Sequence, residues 1–390
     1  MNILYISGFD LDACSCGGHQ RSRLMYESLC RIGRTYVLCA DPDAHVVPGE
    51  RMTLRRTGLG PVRRFVDRVC SAVYARLFPR CPRALPFRWS LNVEEAFPGI
   101  SFDCVIVRYP HEAAISAPWR YGRLFVDFDD HPLEQYLTME GRRHGALRRW
   151  LSGWVFRWAV GRVVRRCEGA WVSNPGQVTD FPAGTKVYPL ENIPYQIPCE
   201  GDFAAAREGY LMAVGAFAWE PNRDGVAEFL REIWPSVRAR HPELEFRIVG
   251  GGLADDVRRD WESLPGVSCL GFVDDIGELY AHALASVAPV TSGGGTCIKT
   301  RESQAFGRVC LSTEFGVRGL PPQDLADNGI LIYHSSDEFV EQLAKVVDER
   351  VRGRLERRAR AYAEVNFSRS KFAEQVATPL DRTLKECSHA

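Results

Sequence analysis

Residues 285–313 read ASVAPVTSGGGTCIKTRESQAFGRVCLST, and the order of their parts decides the fold. A short apolar run, ASVAPV, has the length and composition of a buried strand; three glycines and a threonine follow, and then a stretch that suits a helix. Gly293, Gly294 and Gly295 permit positive φ and close approach of the backbone. A helix beginning near Thr296 would point unpaired N–H groups and the positive end of its dipole at an anion. In outline this is a phosphate cradle. Lys299 and Glu302 are three apart and share one helix face near that end. An ammonium there suits a diphosphate, and a carboxylate there suits the hydroxyls of a ribose. Taken alone, the same residues also fit a tight turn followed by a surface ion pair.

The surrounding sequence repeats the strand-then-helix rhythm. GYLMAVGAF, LEFRIVGGG and VSCLGFV read as strands before the cradle, and DGVAEFLREIWPSVRARH reads as one helix between the first two. The strands end in small or polar residues, which is where open α/β sheets bind ligands. The first half has the same alternation in MNILYIS, RSRLMYESLCRIG, TYVLCA, FDCVIVRY, RLFVDFD and GAWVSN, the pattern of a parallel sheet covered by helices. Residues 51–92 are basic and interrupted by prolines, and read as a helical or loop excursion. The proline-rich run LENIPYQIPCEGDFAAARE marks a junction. These features predict an α/β protein with a first domain over 1–192, a linker over 193–208 and a second domain over 209–369. A final helix over about 370–390, with Phe372, Val376, Leu380 and Leu384 at helical spacing, is expected to pack back on the first domain.

Composition narrows the function. A chain of 390 residues, 45% hydrophobic and 25% charged, has apolar material for two cores. Its net charge of zero hides a division: residues 1–195 hold 26 Lys and Arg against 19 Asp and Glu, a balance of +7, and the remainder carries −7. A positive half suits an anionic lipid surface or a phosphate-bearing acceptor. The opening MNILYISG has no basic leader and no run near the roughly 20 apolar residues of a membrane span, so a cytoplasmic protein is expected. Thirteen scattered cysteines are expected to be reduced thiols. Cys14 and Cys16 lack a second pair at zinc-site spacing, and no metal is expected.

Further candidate residues lie in the first half. Gly17 and Gly18 in CSCGGHQRS fit a close backbone approach or an ordinary strand-to-helix turn, and His19 reads as a turn histidine. Arg108, Tyr109 and His111 follow one strand; Asp127, Asp129 and Asp130 follow another, where they suit either an acceptor hydroxyl or the cap of the next helix. Residues 142–166, RRHGALRRWLSGWVFRWAVGRVVRR, place Trp150, Trp154 and Trp158 four apart among arginines. Such a helix either lies in a lipid interface or packs its tryptophans on the sheet, and the need to cover its own sheet favours the core.

Six segments in order resemble glycosyltransferase family 4, the retaining GT-B enzymes, and in particular its bacterial branch: GGHQRSRLM, VDFDD, VGAFAWEPNRDGVAEFL, FRIVGGG, LGFVDDIGELYAHA and GGGTCIKTRESQAFGRVCLSTEFGVRGL. The resemblance spans nearly the whole chain. It implies two Rossmann-like domains facing a central cleft, a nucleotide-sugar donor held by the second domain, and a glycan, lipid-linked or protein acceptor taken by the first. It implies no metal and no cofactor beyond the donor itself. By resemblance, Gly17 and Gly18 approach the donor phosphates and the reacting sugar, His111 approaches the donor sugar, and Arg108, Tyr109, Asp129 and Asp130 lie on the acceptor side. The 293–299 loop, with Thr296 and Lys299, holds the diphosphate, Glu302 the ribose, and the backbone near Phe272 and Val273 the base. The family carries two glutamates with seven residues between them; Glu302 matches the second, and Gly294 stands where the first belongs. Of the family's Arg and Lys after the first strand of the second domain, only Arg223 has an approximate counterpart, so Lys299 is expected to share that role.

Bacterial cell-surface polysaccharide or glycoconjugate synthesis is the expected setting, at the inner face of the membrane through the basic first half. A catalytically silent GT-B protein is the main alternative, because of Gly294. The Asp-x-Asp of DFD would suit the metal site of a GT-A enzyme, but that architecture has no need of a second α/β half. A dinucleotide oxidoreductase would need G-x-G-x-x-G after the first strand, which is absent. No nucleic-acid motif accompanies the basic stretches.

Overall fold

The computed structural model describes residues 1–12, 16–39, 51–53, 93–108, 118–129, 150, 154, 157–158, 160–196, 209–294, 296–321 and 325–388. The chain forms two compact units. One comprises Met1–Cys14, Gly18–Glu191 and Arg369–Ala390, the other Ser15–Gly17 and Asn192–Ser368.

The first unit is built on β1 (Asn2–Ser7), β2 (Arg34–Cys39), β3 (Arg51–Thr53), β4 (Cys104–Arg108), β5 (Arg123–Asp129), β6 (Cys167–Val172) and β7 (Val187–Pro189), in the spatial order β3-β2-β1-β4-β5-β6-β7. The second holds β8 (Tyr210–Val214), β9 (Glu245–Val249), β10 (Val267–Gly271), β11 (Ala285–Ala288), β12 (Cys310–Ser312) and β13 (Ile330–Ile332), in the order β10-β9-β8-β11-β12-β13. Every strand pairing among the described residues is parallel. That explains the sequence of the central strands. A parallel strand is covered on both faces, so CVIVR of β4 is buried at every position instead of alternating.

The helices are α1 (Gly17–Ile32), α2 (Val93–Ala96), α3 (Glu220–Glu232), α4 (Trp234–Arg240), α5 (Asp255–Glu262), α6 (Gly277–His282), α7 (Ile298–Ala305), α8 (Ser336–Val347), α9 (Glu349–Asn366) and α10 (Arg369–Ser388). The stretch that reads as one helix after β8 is two, broken at Ile233. Pro235, in the first turn of α4, has no N–H to continue the hydrogen-bond ladder of α3, so the chain restarts there. Helix α10 lies in the first unit: Phe372, Val376 and Leu380 are buried, and the Trp171 indole donates to the Gln375 carbonyl at 3.4 Å.

The tryptophan stretch departs from the favoured expectation. The described residues between 150 and 164 are helical, yet Trp150, Trp154 and Trp158 are 61%, 57% and 48% exposed. Val160, Val163 and Val164 are the residues that enter the core of the first sheet, beside Val126, Phe128 and Val172. Smaller branched side chains fill the layer next to the strands, and the indoles are left outside it.

Candidate functional site

In the second unit the chain leaves β8 and β11 in opposite directions across the sheet. This is the switch point of a doubly wound sheet, where the loops at the strand ends part and a ligand fits. Three glycine-bearing loops meet there. After β9, Gly250 has φ +140°, and a Cβ on it would lie 1.8 Å from the Gly215 carbonyl oxygen beyond β8; Gly252, with φ +83°, has the same relation to Ala218 N at 2.7 Å. These two loops therefore touch backbone to backbone, which only glycine allows. A Cβ on Gly225 of α3 would stand 2.1 Å from the Pro289 carbonyl oxygen, so α3 lies directly against the exit of β11. Gly293, with φ +129°, turns the chain beside Pro221 towards α7.

Helix α7 starts at Ile298 with Cys297 at its N-cap, and Cys297 supplies no side-chain cap bond. The first-turn N–H groups of a helix have no intrahelical partners, so this end suits an anion. Lys299 stands in that turn, half-buried, and its Nζ donates to Asn222 Oδ1 at 2.9 Å; Asn222 Nδ2 in turn donates to the Ala216 carbonyl at 2.9 Å. Asn222 thereby ties the β8 loop to the cradle. Thr296 is buried and its Oγ1 accepts from Asn192 Nδ2 at 3.1 Å. Asn222 stands inside the quoted PNRDG segment and Asn192 inside the proline-rich junction, but no residue-type signal marks either as a partner of the cradle.

The rest of α7 is polar and buried. Thr300, Arg301, Glu302, Ser303 and Gln304 are at most 5% exposed. Ser303 shares a bond of 2.8 Å with Ser286 and donates to the Arg308 carbonyl, and Gln304 donates to the Asn328 carbonyl. These bonds offset the burial of Ser303 and of the Gln304 amide nitrogen, while Gln304 Oε1 accepts none. Glu302 sits among these residues. Burial pushes the Tyr280 phenol well above its ordinary value, and the nearby Glu302 carboxylate pushes it further the same way. Phe272 is 58% exposed next to Gly251, while Val273 packs on the cluster of Tyr280 and Phe306. Arg223 is held by carboxylates on its own helix, Glu220 at 3.5 Å and Asp224 at 3.7 Å. The second unit thus brings together Gly293, Thr296, Lys299 and Glu302 at one sheet end, with Gly294 in the same loop. Gly295 lies outside the described residues.

The first unit has its own cluster at the carboxyl ends of β4 and β5. Arg108 is fully buried; its Nη1 donates to the Gly18 carbonyl and to Ser22 Oγ, both at 2.7 Å, and its Nη2 donates to Asp129 Oδ2 at 2.8 Å. Arg21, also buried, pairs with Asp127 at 2.6 Å, lies 3.6 Å from Asp129, and donates to the Leu190 carbonyl. Asp129 has φ +54°, a conformation Asp tolerates better than most side chains, at a register shift between β5 and β6. The ring of Phe9 fills the space beside Gly18: a Cβ there would lie 2.6 Å from it. His19 meets the same ring edge-on at 5.3 Å.

Both arginines and both aspartates are thus internally paired. Arg108 holds the start of α1, and Asp127, clasped by Arg21, has its carboxylate oxygens occupied, which runs against the Asp-x-Asp metal reading. Arg21 was legible only as a helix residue, because its partner is 106 positions away. Tyr109, His111 and Asp130 lie outside the described residues.

Comparison with known proteins agrees with this architecture. Residues 208–349 match the family described as glycosyl transferases group 1. The search among curated proteins returns no match. Among solved structures, sucrose-phosphate synthase from Thermosynechococcus elongatus has a TM-score of 0.70 at 15% identity, covering 99% of this chain and 100% of that one. Anabaena HepE in complex with UDP and glucose has a TM-score of 0.66 at 14% identity, covering 98% and 99%. WaaG, a glycosyltransferase involved in lipopolysaccharide biosynthesis, has a TM-score of 0.63 at 16% identity, covering 96% and 99%. The chain has the GT-B fold, two α/β units built on parallel sheets, and its second unit is similar to the glycosyl transferases group 1 over residues 208–349.

Proposed function

We propose that this chain is a retaining, metal-independent glycosyltransferase that takes a nucleotide-diphosphate sugar on its second unit and passes the sugar to a glycan, lipid-linked or protein acceptor. The observation that carries the reading is the cradle at the β8/β11 switch point, where backbone without side chains, an uncapped helix start and the Lys299 ammonium converge. In this reading the diphosphate lies on residues 293–299, Glu302 accepts from the ribose hydroxyls, and the base lies by Phe272 and Val273. Arg223, shared with Glu220 and Asp224, contributes less positive charge than Lys299. As the glycosidic bond to the donor breaks, negative charge builds on the leaving diphosphate, and the N–H groups and Lys299 stabilise it. The leaving group then accepts the proton of the incoming hydroxyl on the same face, so no protein base is required. Arg108 holds Gly18 in place, and Arg108 and Asp129 order the strand ends of the first unit, the acceptor side in this reading.

The match to glycosyl transferases group 1 and the shared fold support this reading, and a solved relative crystallised with UDP and glucose puts UDP-sugars first among donors. Synthesis of surface polysaccharide or glycoconjugate in the cytoplasm is the setting we propose. No helix among the described residues is long and apolar enough to cross a membrane. Gly294, in place of the first signature glutamate, favours a second reading, a GT-B protein that binds the donor without transfer.

A thermal-shift panel of UDP-, GDP-, ADP- and CMP-sugars on the wild type, Glu302→Ala and Glu302→Gln tests the site, each variant measured against its own ligand-free midpoint. One nucleotide is expected to stabilise the wild type and to lose most of that effect in both variants. Equal stabilisation of all three proteins overturns the role of Glu302. Turnover of the stabilising donor with candidate acceptors separates transferase from silent binder.

A further inference from the structure

We infer that Arg258 reads the base of the donor and selects uracil or guanine, whose edge remote from the ribose carries a carbonyl oxygen, over cytosine or adenine, whose remote edge carries an amino group. The inference rests on the donor site proposed above and names the class of nucleotide that site takes. The base end of the site is built at the carboxyl ends of β9 and β10. Gly250 N donates to the Gly271 carbonyl at 2.7 Å, and a Cβ on Gly251 would lie 3.6 Å from Phe272 Cβ, so the two loops run side by side. The pairing of β10 with β9 shifts register between Cys269 and Gly271, and Gly271 has φ +72°. An irregularity of this kind re-aims the side chain that follows. Phe272 is 58% exposed, on the edge strand of its sheet. A flat ring held open beside bare backbone suits stacking by a base.

Arg258, on α5, borders this platform. A Cβ on Gly271 would lie 3.2 Å from its Nη2, so the bare backbone there makes room for the guanidinium. The helix offers Arg258 carboxylates at the usual ion-pair spacings, Asp255 three positions before it and Glu262 four after. Neither pairs with it: Glu262 Oε1 accepts instead from Cys269 N at 3.2 Å. Arg258 is half-buried, its Nε is buried without a partner, and its guanidinium has no bonded acceptor among the described residues. A partly desolvated cation in that position gains from any acceptor that a ligand brings. A guanidinium can only donate. Uracil O4 and guanine O6 accept, whereas cytosine N4 and adenine N6 are donors and would set two donors face to face. A site that leaves a polar group unpaired rejects the wrong ligand more strongly than one that differs only in shape.

Calorimetric titration of UDP, CDP, GDP and ADP into the full chain tests it, because ring size is constant within the pyrimidine pair and within the purine pair. The preferred carbonyl-bearing nucleotide is expected to bind the wild type about tenfold or more tighter than its amino counterpart, the size of one charge-assisted hydrogen bond. Arg258→Met is expected to bring that ratio to about twofold or less by weakening the carbonyl-bearing nucleotide alone. Arg258→Lys, which keeps a cationic donor, should restore part of it. Lys299→Met, at the diphosphate, should weaken all four nucleotides and leave the ratio at its wild-type value. A wild type that binds both members of each pair alike or prefers CDP or ADP overturns the role of Arg258. So does an Arg258→Met variant that keeps the wild-type ratio, whether or not its overall affinity falls, since a purely structural role moves every nucleotide together. Failure of the donor site itself gives a different result: the wild type binds none of the four, and both readings are overturned.

Discussion

The glycine-bearing loops of the two units are held in place by opposite means. In the first unit, the loop at Gly18 is fixed by a buried network of two arginines and two aspartates: Arg108 holds the Gly18 carbonyl, Asp129 holds Arg108, and Arg21 joins Asp127 to the helix. In the second unit, the loops are fixed by contact of bare backbone, with Gly250 against Gly215, Gly252 against Ala218 and Gly225 against Pro289. A buried ionic network saturates its own charges, so it can position a loop but has little left to offer a ligand. Close-packed backbone leaves charges unspent. Lys299 donates to a neutral amide, Asn222, and an arriving anion meets an ammonium that this bond does not neutralise. The difference assigns positioning to the first cluster and binding to the second.

The largest effect should come from breaking the backbone contacts. Gly250→Ala forces a Cβ into the Gly215 carbonyl at a positive φ that alanine rarely adopts, and should cost more than about 3 kcal/mol of stability in a urea titration. A loss below about 1 kcal/mol, the usual size for a tolerated surface change, would mean that the loops do not depend on bare backbone.

Breaking the ionic network should cost nearly as much, but reversibly. Arg21→Met leaves Asp127 buried without its guanidinium and should destabilise by about 3–5 kcal/mol. Adding Asp127→Leu should recover most of that loss, because two apolar side chains can replace a buried pair at little cost. If the double variant is no better than the single one, the pair does more than satisfy its own charges.

Ligand affinity should respond in the second unit with little change in stability. Lys299→Met should weaken binding of the stabilising nucleotide sugar by about 1.5–3 kcal/mol, tenfold or more by calorimetric titration. Asn222→Ala should lower it by about 1 kcal/mol, roughly fivefold, through lost positioning of Lys299. Should Asn222→Ala be the more damaging of the two, the amide rather than the ammonium carries the contact.

Some of this could be read in one dimension. The apolar runs of MNILYIS, FDCVIVRY and LEFRIVGGG alternate with helical periods, and the GGGT segment announces a turn into a helix start, because strand burial, helix period and glycine conformation are all local properties. Other features could not. The run TRESQ holds only polar and charged side chains, yet it is buried, with Ser303 and Gln304 bonded to Ser286, Arg308 and Asn328 outside the run. Arg21 meets Asp127 across 106 positions. Trp150, Trp154 and Trp158 have the spacing of a core face, but the valines after them take the layer against the sheet.

By itself, then, the sequence determined the alternation of strand and helix, the division into two α/β halves and the positions of the glycine turns, all set by interactions between residues a few places apart. Tertiary structure decided which polar groups are buried, which charges cancel one another, and which aromatic rings are left exposed. Those outcomes depend on which distant segments come to share one layer, and neither composition nor period carries that information.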